Sequence, residues 1–165
     1  VGSEMCIRDS LTGMGASIIT CTDQNTMVIH APNRPVNLPY VETEVYPGFP
    51  TDLQSLLLVA ACIAEGELVL RERIFSGRFK IIEELLRMGA VIRQENDRAI
   101  IEGGHPLEGR NVIARELRGG AALLTAGLAA NGITTVTDTM YIRRGYEDII
   151  GDLTALGAVI AEYSP

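Results

Sequence analysis

Four charged side chains, Asp52, Arg78, Arg118 and Arg144, stand at or just before the starts of predicted helices. An aspartate there complements the positive end of the helix dipole, and as a good first-turn residue it needs no further role. An arginine there is opposed by the same dipole by about 0.3–1 kcal/mol, and the chain carries three at equivalent starts. Exposed first-turn amides and a guanidinium donate toward one point, so each such start can hold a phosphate or a carboxylate. The expected chemistry is therefore anion binding beside one carboxylate, provided that the helix starts converge.

The approach to the carboxylate is the most distinctive stretch of the chain, Tyr46-Pro47-Gly48-Phe49-Pro50-Thr51-Asp52-Leu53-Gln54. Its prolines and glycine predict a stiff turn that aims the first turn of the next helix. Thr51 and Gln54 have the spacing of a capping box over a helix from Thr51 to Glu65, ended by Gly66.

The elements that must position these groups are repeated. Leu86-Arg87-Met88-Gly89-Ala90-Val91-Ile92 recurs as Ala155-Leu156-Gly157-Ala158-Val159-Ile160 and as Gly13-Met14-Gly15-Ala16-Ser17-Ile18. Each copy predicts a helix closed by a left-handed glycine and followed by a strand. Asp52 through Arg78 also lies over Arg118 through Arg144 without a gap, which matches Arg78 to Arg144, so the unit is about seventy residues long. Its order is strand, helix, strand, helix, strand, strand. Strands are expected at Val41–Val45, Glu67–Arg71, Val91–Gln94 and Arg98–Glu102, with a second helix capped by Ser76 and running to about Arg87. The next unit is expected to repeat this with strand Asn111–Ala114, helix Gly119–Asn131, strand Ile133–Val136, helix Arg144–Leu156 and strand Val159–Glu162. Strands at Ser17–Cys21 and Thr26–His30 close an earlier unit. The chain thus divides into residues 11–40, the end of one repeat, 41–109, a complete repeat, and 110–165, a truncated one. Residues 1–10 show no period tying them to the rest, and Met5-Cys6-Ile7-Arg8-Asp9 resembles the translation of a sequencing adaptor, so this segment is expected to be non-native, the alternative being an ordinary frayed terminus.

Pro47-Gly48-Phe49-Pro50-Thr51-Asp52-Leu53-Gln54, then Ile74-Phe75-Ser76-Gly77-Arg78-Phe79, then Glu116-Leu117-Arg118, then Arg143-Arg144-Gly145-Tyr146-Glu147 resemble in order and spacing the UDP-N-acetylglucosamine enolpyruvyl transferases. The likeness runs from Leu11 to the end of the chain. It implies an α/β (α+β) fold in which repeated βαβαββ units, helices inside and sheets outside, build one lobe of a two-domain inside-out α/β barrel. It implies transfer of the enolpyruvyl group of phosphoenolpyruvate to the 3-hydroxyl of UDP-N-acetylglucosamine with release of phosphate, the first committed step of peptidoglycan synthesis. In that family the residue matching Asp52 is the favoured base for the attacking hydroxyl, and the one matching Ile74 binds the nucleotide sugar through its backbone. The arginine matching Arg144 binds phosphoenolpyruvate, and those matching Arg78 and Arg118 line the cleft. The proton-donor cysteine and a phosphoenolpyruvate lysine of the family belong to the other domain and match nothing here, so an amino-terminal part of the same polypeptide is the implied partner and this piece alone is expected to be inactive. No cofactor or metal is implied.

Two departures leave alternatives open. Glu116 replaces an aspartate common in the family, which moves its carboxylate by about 1.5 Å. Ser76-Gly77 replaces a common Glu-Asn pair. One alternative is the shikimate-pathway enolpyruvyl transferase, which usually carries Lys-Glu-Ser-Asp-Arg where this chain has Ile74-Phe75-Ser76-Gly77-Arg78. The other is a UDP-sugar-binding paralogue without the chemistry.

Composition sets outer bounds. With 165 residues, 47% of them hydrophobic, the chain can bury a core. Its 14 basic and 21 acidic residues give a net charge of −7, which argues against nucleic-acid and anionic-membrane partners. The longest apolar run, Leu56 to Ala64, is too short to cross a bilayer. Cys6, Cys21 and Cys62 show neither zinc spacing nor a disulfide framework, which fits a reducing cytoplasm. Cys62, inside an apolar helix, reads as a packed core residue.

Overall fold

The computed structural model describes residues 3–21 and 26–162. The central unit is a four-stranded sheet with helices on one side. Strands β3 (Tyr40–Glu42), β4 (Glu67–Arg71), β5 (Val91–Glu95) and β6 (Arg98–Glu102) lie in the order β3-β4-β6-β5. β3 runs parallel to β4, and the other pairs are antiparallel. Helix α2 (Gln54–Ile63) connects β3 to β4, and α3 (Ile82–Arg87) connects β4 to β5, which makes one βαβαββ unit. Leu68 and Leu70 on β4 and Ala99 and Ile101 on β6 turn inward and are buried, while their alternate neighbours are less so. That period-two pattern fixes the register, since a slip of one residue would turn the apolar set to solvent.

Before this unit, α1 (Ser3–Gly13) leads into a hairpin of β1 (Ser17–Cys21) and β2 (Thr26–His30). Within the segment read as non-native, residues 3–10 are helical, and Ile7 packs against the core. After the central unit come β7 (Asn111–Ile113), α4 (Leu117–Ala129) and β8 (Thr135–Thr137), with β7 and β8 parallel. Helices α5 (Met140–Arg143) and α6 (Ile149–Ala155) follow. The helix expected at Arg144–Leu156 therefore starts only at Ile149, and a separate short helix, α5, precedes Arg144. Residues 140–143 make their own turn, and Asp148 starts a new helix by accepting the Gly151 N–H at 2.9 Å. The strand expected at Val159–Glu162 does not form, and Val159 is fully exposed with no strand beside it.

The repeated glycine motif is visible atom by atom. Gly15, Gly89 and Gly157 have φ of 102°, 94° and 96°. In each copy the following alanine N–H bonds back to a carbonyl five residues earlier: Ala16 to Leu11, Ala90 to Leu85, Ala158 to Leu153. These are Schellman closures, and a residue with a Cβ would be strained at the left-handed position. The longer correspondence also holds at its middle, where α2 and α4 both end in an extended alanine, Ala64 and Ala130, before a positive-φ glycine, Gly66 and Gly132.

Helices α2 and α4 lie against each other at the centre. α2 contributes Leu57, Leu58, Val59, Ala61 and Cys62; α4 contributes Gly119, Gly120, Ala121, Ala122, Leu123 and Ala126. The small residues of α4 allow close approach. A Cβ on Gly120 would fall 2.7 Å from Ile142 of α5, so α4 is pressed from both sides. Burial pushes the Cys62 thiol up to about 12, which keeps it protonated and unreactive, as expected of a core cysteine.

The carboxy-terminal end of α2 is closed by a side chain. Asn37 Nδ2 donates to the carbonyls of Ala61 at 2.9 Å, Ala64 at 3.3 Å and Gly66 at 2.9 Å. Asn37→Ala leaves these oxygens short of a donor in a part-buried place, and a loss of about 2 kcal/mol in a urea melt is the expected result. A loss under about 0.5 kcal/mol would show that water replaces the amide. Strands β1 and β2 are thinly covered, with Ile19, Met27, Val28 and Ile29 each about half exposed.

Candidate functional site

The turn that carries the carboxylate is built as the prolines and glycine suggest, with one change. Residues 43–49 form a closed loop in which Glu44 N–H donates to Phe49 O at 3.0 Å and Gly48 N–H to Val45 O at 2.9 Å. A Cβ on Gly48 would lie 2.3 Å from that of Glu44, so only glycine fits this crossing. Phe49 is buried and anchors the loop's far end. Thr51–Leu53 is then a single 3-10 turn ahead of α2, with Pro50 at its cap position and no side-chain capping bond. The expected capping box is absent. Thr51 lies inside the turn rather than at its cap, and its Oγ1 instead donates to Glu72 Oε2 at 2.8 Å.

Asp52 is held from two directions. Arg118 Nε donates to its Oδ1 at 2.7 Å, and Arg78 Nη1 lies 3.9 Å from the same oxygen. The three residues come from the starts of α2, of the turn before α3, and of α4, so these helix starts do converge. Asp52 is 65% exposed at its side chain and Arg78 only 17%, which leaves the carboxylate open to solvent with its guanidinium partners set behind it.

Each arginine is placed by local structure. Gly77 at φ 73° turns the chain into the 3-10 turn Arg78–Ile81; Ser76, expected as the cap, makes no capping bond because this left-handed glycine occupies the cap position. The Arg78 guanidinium lies 4.5 Å above the centre of the Phe75 ring, a cation–π contact that holds its orientation. Arg118 sits in the first turn of α4, whose cap is Glu116: the Glu116 carboxylate accepts the N–H groups of Arg118, at 3.0 Å, and of Gly119. The longer side chain at 116 is therefore accommodated by folding back onto its own helix start.

Ile74 lies beside this cluster, in the loop between β4 and Arg78. Its N–H is already given to Glu72 Oε1 at 2.8 Å, so any backbone contact with a ligand would use its carbonyl. A groove of about 420 Å³ opens along this loop, lined by Arg71, Arg73, Ile74, Phe75, Arg78 and Asn96 among others. Arg144 is not brought into the cluster. It stands exposed at the end of α5, not at a helix start, and among the described residues it makes no ion pair. It is nevertheless near, since a Cβ on the adjacent Gly145 would fall 2.3 Å from Leu117 Cδ1, one residue from Arg118.

Two residues at the site were missed in the sequence, Glu72 and Phe75. A signal for Glu72 existed, because it continues the inward phase of β4 after Leu68 and Leu70, where a charge is out of place unless it has partners. Phe75 carried no such signal; it is half exposed and defined only by the guanidinium above it.

Residues 2–153 match the protein family described as EPSP synthase (3-phosphoshikimate 1-carboxyvinyltransferase). A UDP-N-acetylglucosamine 1-carboxyvinyltransferase 2 of Symbiobacterium thermophilum is 50% identical over 127 residues, 77% of this chain and 30% of the relative. A UDP-N-acetylglucosamine 1-carboxyvinyltransferase of Anaplasma marginale is 39% identical over 162 residues, 97% of this chain and 37% of the relative. The crystal structure of the enolpyruvyl transferase NikO from Streptomyces tendae superposes with a TM-score of 0.83 at 30% identity, over 98% of this chain and 37% of that one. An EPSP synthase from Acinetobacter baumannii shares the fold at a TM-score of 0.64 and 20% identity, over 87% of this chain and 35% of that one. The chain therefore spans about a third of the length of these proteins. Among the described residues no helix is long and apolar enough to cross a membrane.

Proposed function

Because the chain belongs to the enolpyruvyl transferase family, we propose that it forms part of a longer polypeptide that transfers the enolpyruvyl group of phosphoenolpyruvate to the 3-hydroxyl of UDP-N-acetylglucosamine and releases phosphate. The observation that carries this reading is Asp52 held by Arg118 at 2.7 Å beside Arg78, at the mouth of converging helix starts. On this reading the work is done in the cytoplasm at the first committed step of peptidoglycan synthesis.

The chemistry needs three things. The sugar hydroxyl must lose a proton as its oxygen bonds to C2 of phosphoenolpyruvate; the methylene carbon must gain one; and phosphate must leave as that methyl group gives a proton back. Asp52 is the group placed to take the hydroxyl proton. Its Oδ1 accepts from Arg118 Nε. An arriving phosphate or carboxylate competes for that guanidinium, and bidentate capture of the anion would free the Asp52 lone pair when the substrate is in place. Arg78, steadied on Phe75, supplies a second fixed cation for the departing phosphate. Arg144, on the neighbouring segment, is assigned to phosphoenolpyruvate, to be met when the polypeptide closes over its substrates. The Ile74 carbonyl is assigned to the nucleotide sugar. The proton donor to carbon is expected from the amino-terminal part of the polypeptide.

The shikimate-pathway alternative is less favoured. The family description names EPSP synthase, but the curated relatives at 39–50% identity are named as UDP-N-acetylglucosamine enzymes, whereas the solved EPSP synthase structure is only 20% identical. The deciding assay measures phosphate release from phosphoenolpyruvate by the intact polypeptide with each acceptor. Release with UDP-N-acetylglucosamine and none with 3-phosphoshikimate is expected; the reverse pattern, or no release with either, defeats the proposal.

A further inference from the structure

A buried carboxylate that plays no part in the chemistry above joins the two loops that carry it. Glu72 is only 5% exposed, and its Oε1 accepts the backbone N–H groups of Ile74 at 2.8 Å and Phe75 at 3.1 Å. Its Oε2 accepts the Thr51 hydroxyl at 2.8 Å. Glu72 N–H in turn donates to Asp97 O at 2.8 Å, which fastens it to the β5–β6 turn. Among the described residues Glu72 has no ion-pair partner, so these donors alone offset the cost of burying the charge.

The placement bears directly on the cluster. Thr51 is one residue from Asp52; Ile74 and Phe75 lead to Arg78, and Phe75 carries the Arg78 guanidinium. One side chain therefore sets the distance between the carboxylate turn and the loop that presents the Ile74 carbonyl and Arg78. We propose that Glu72, acting through Thr51, is a positioning residue for enolpyruvyl transfer, holding the Asp52 turn in register with the Ile74–Arg78 loop. This rests on the function proposed above. It differs from an ordinary packing role because the bonds join the two substrate-facing loops to each other, at a point where apolar side chains could have filled the space.

Hydrogen-bond chemistry predicts an unusual mutational order. In Glu72→Gln the amide oxygen still accepts both backbone N–H groups, and the new NH2 donates to the Thr51 oxygen, since a hydroxyl can accept as well as donate. Glu72→Ala loses all three bonds. Thr51→Val is isosteric and removes only the link between the loops, and Thr51→Ser restores it.

The test is steady-state kinetics on the intact polypeptide, with thermal midpoints and amide exchange at Ile74 and Phe75. Thr51→Val is expected to lower kcat about 30-fold, within the range that a misplacement of about 1 Å produces, while the midpoint stays within a few degrees of the parent. Thr51→Ser and Glu72→Gln should stay within about threefold of parental kcat, and Glu72→Ala should speed exchange at both amides by at least tenfold. Parental kcat in Thr51→Val, failure of Thr51→Ser to restore a lost rate, or a loss of rate that follows the loss of midpoint would each overturn the inference. Equal amide exchange in the parent and Glu72→Ala would do the same. That exchange is read without turnover, so an inactive parent would defeat the proposed function and still leave the Glu72 tether tested.

Discussion

Asp52→Asn in the intact polypeptide should lower kcat about 10³-fold, within the range that a positioned general base supplies, while nucleotide-sugar affinity measured by calorimetry changes less than about threefold. The substitution is chosen to separate two roles. If Asp52 merely complements the α2 dipole, losing its charge should cost about 0.3–1 kcal/mol of stability and leave kcat unharmed. The asparagine amide oxygen can still accept from Arg118 Nε, which now reaches Oδ1 at 2.7 Å. What the amide cannot do is take a proton from a sugar hydroxyl. A variant that keeps kcat within tenfold of the parent would remove Asp52 from the chemistry and leave the arginines as an anion site alone.

The second large effect is on stability. Gly103, just after β6, passes directly over the end of α2: a Cβ there would lie 2.0 Å from Ala64 O, 2.3 Å from Ala61 O and 2.7 Å from Asn37 Nδ2. Two of these neighbours are backbone oxygens of a helix end held by the Asn37 side chain, so neither can swing aside. Gly103→Ala should therefore cost about 3 kcal/mol or more, the upper range of overpacking, and lower the melting midpoint by roughly 6–12 °C for a chain of this size. Gly77→Ala is the matched control. Nothing lies within 4 Å of its Cβ position, so the penalty comes only from φ 73° and should be about 1 kcal/mol. Equal midpoints for the two variants would mean that β6 can lift away from α2.

How much could be read in advance varied with how local the cause was. β1, β2, β4 and β6 begin and end as expected from alternation and turn residues, since a strand's period and its punctuation lie within a few neighbours. The left-handed glycines of the repeated motif were legible for the same reason. The Thr51–Gln54 capping box failed because Thr51 lies inside the 3-10 turn with Pro50 at its cap, and its hydroxyl is turned to a distant carboxylate, Glu72. Arg144 was misplaced because the likeness of residues 118–144 to 52–78 weakens toward its end. Its counterpart Arg78 follows a left-handed glycine, whereas Arg144 closes a short helix in right-handed conformation.

The sequence by itself determined the repeat, the βαβαββ order, the closing glycines and the types of side chain that gather at the site, because spacing and conformational preference are written along the chain. Only the tertiary structure decided that Asp52 meets Arg118, 66 positions away, and that Glu72 lies between Thr51 and Ile74. Such meetings depend on how α2 and α4 pack and on where β4 ends against its neighbours. Hydrophobic burial selects that packing for the molecule as a whole, and no local pattern encodes it.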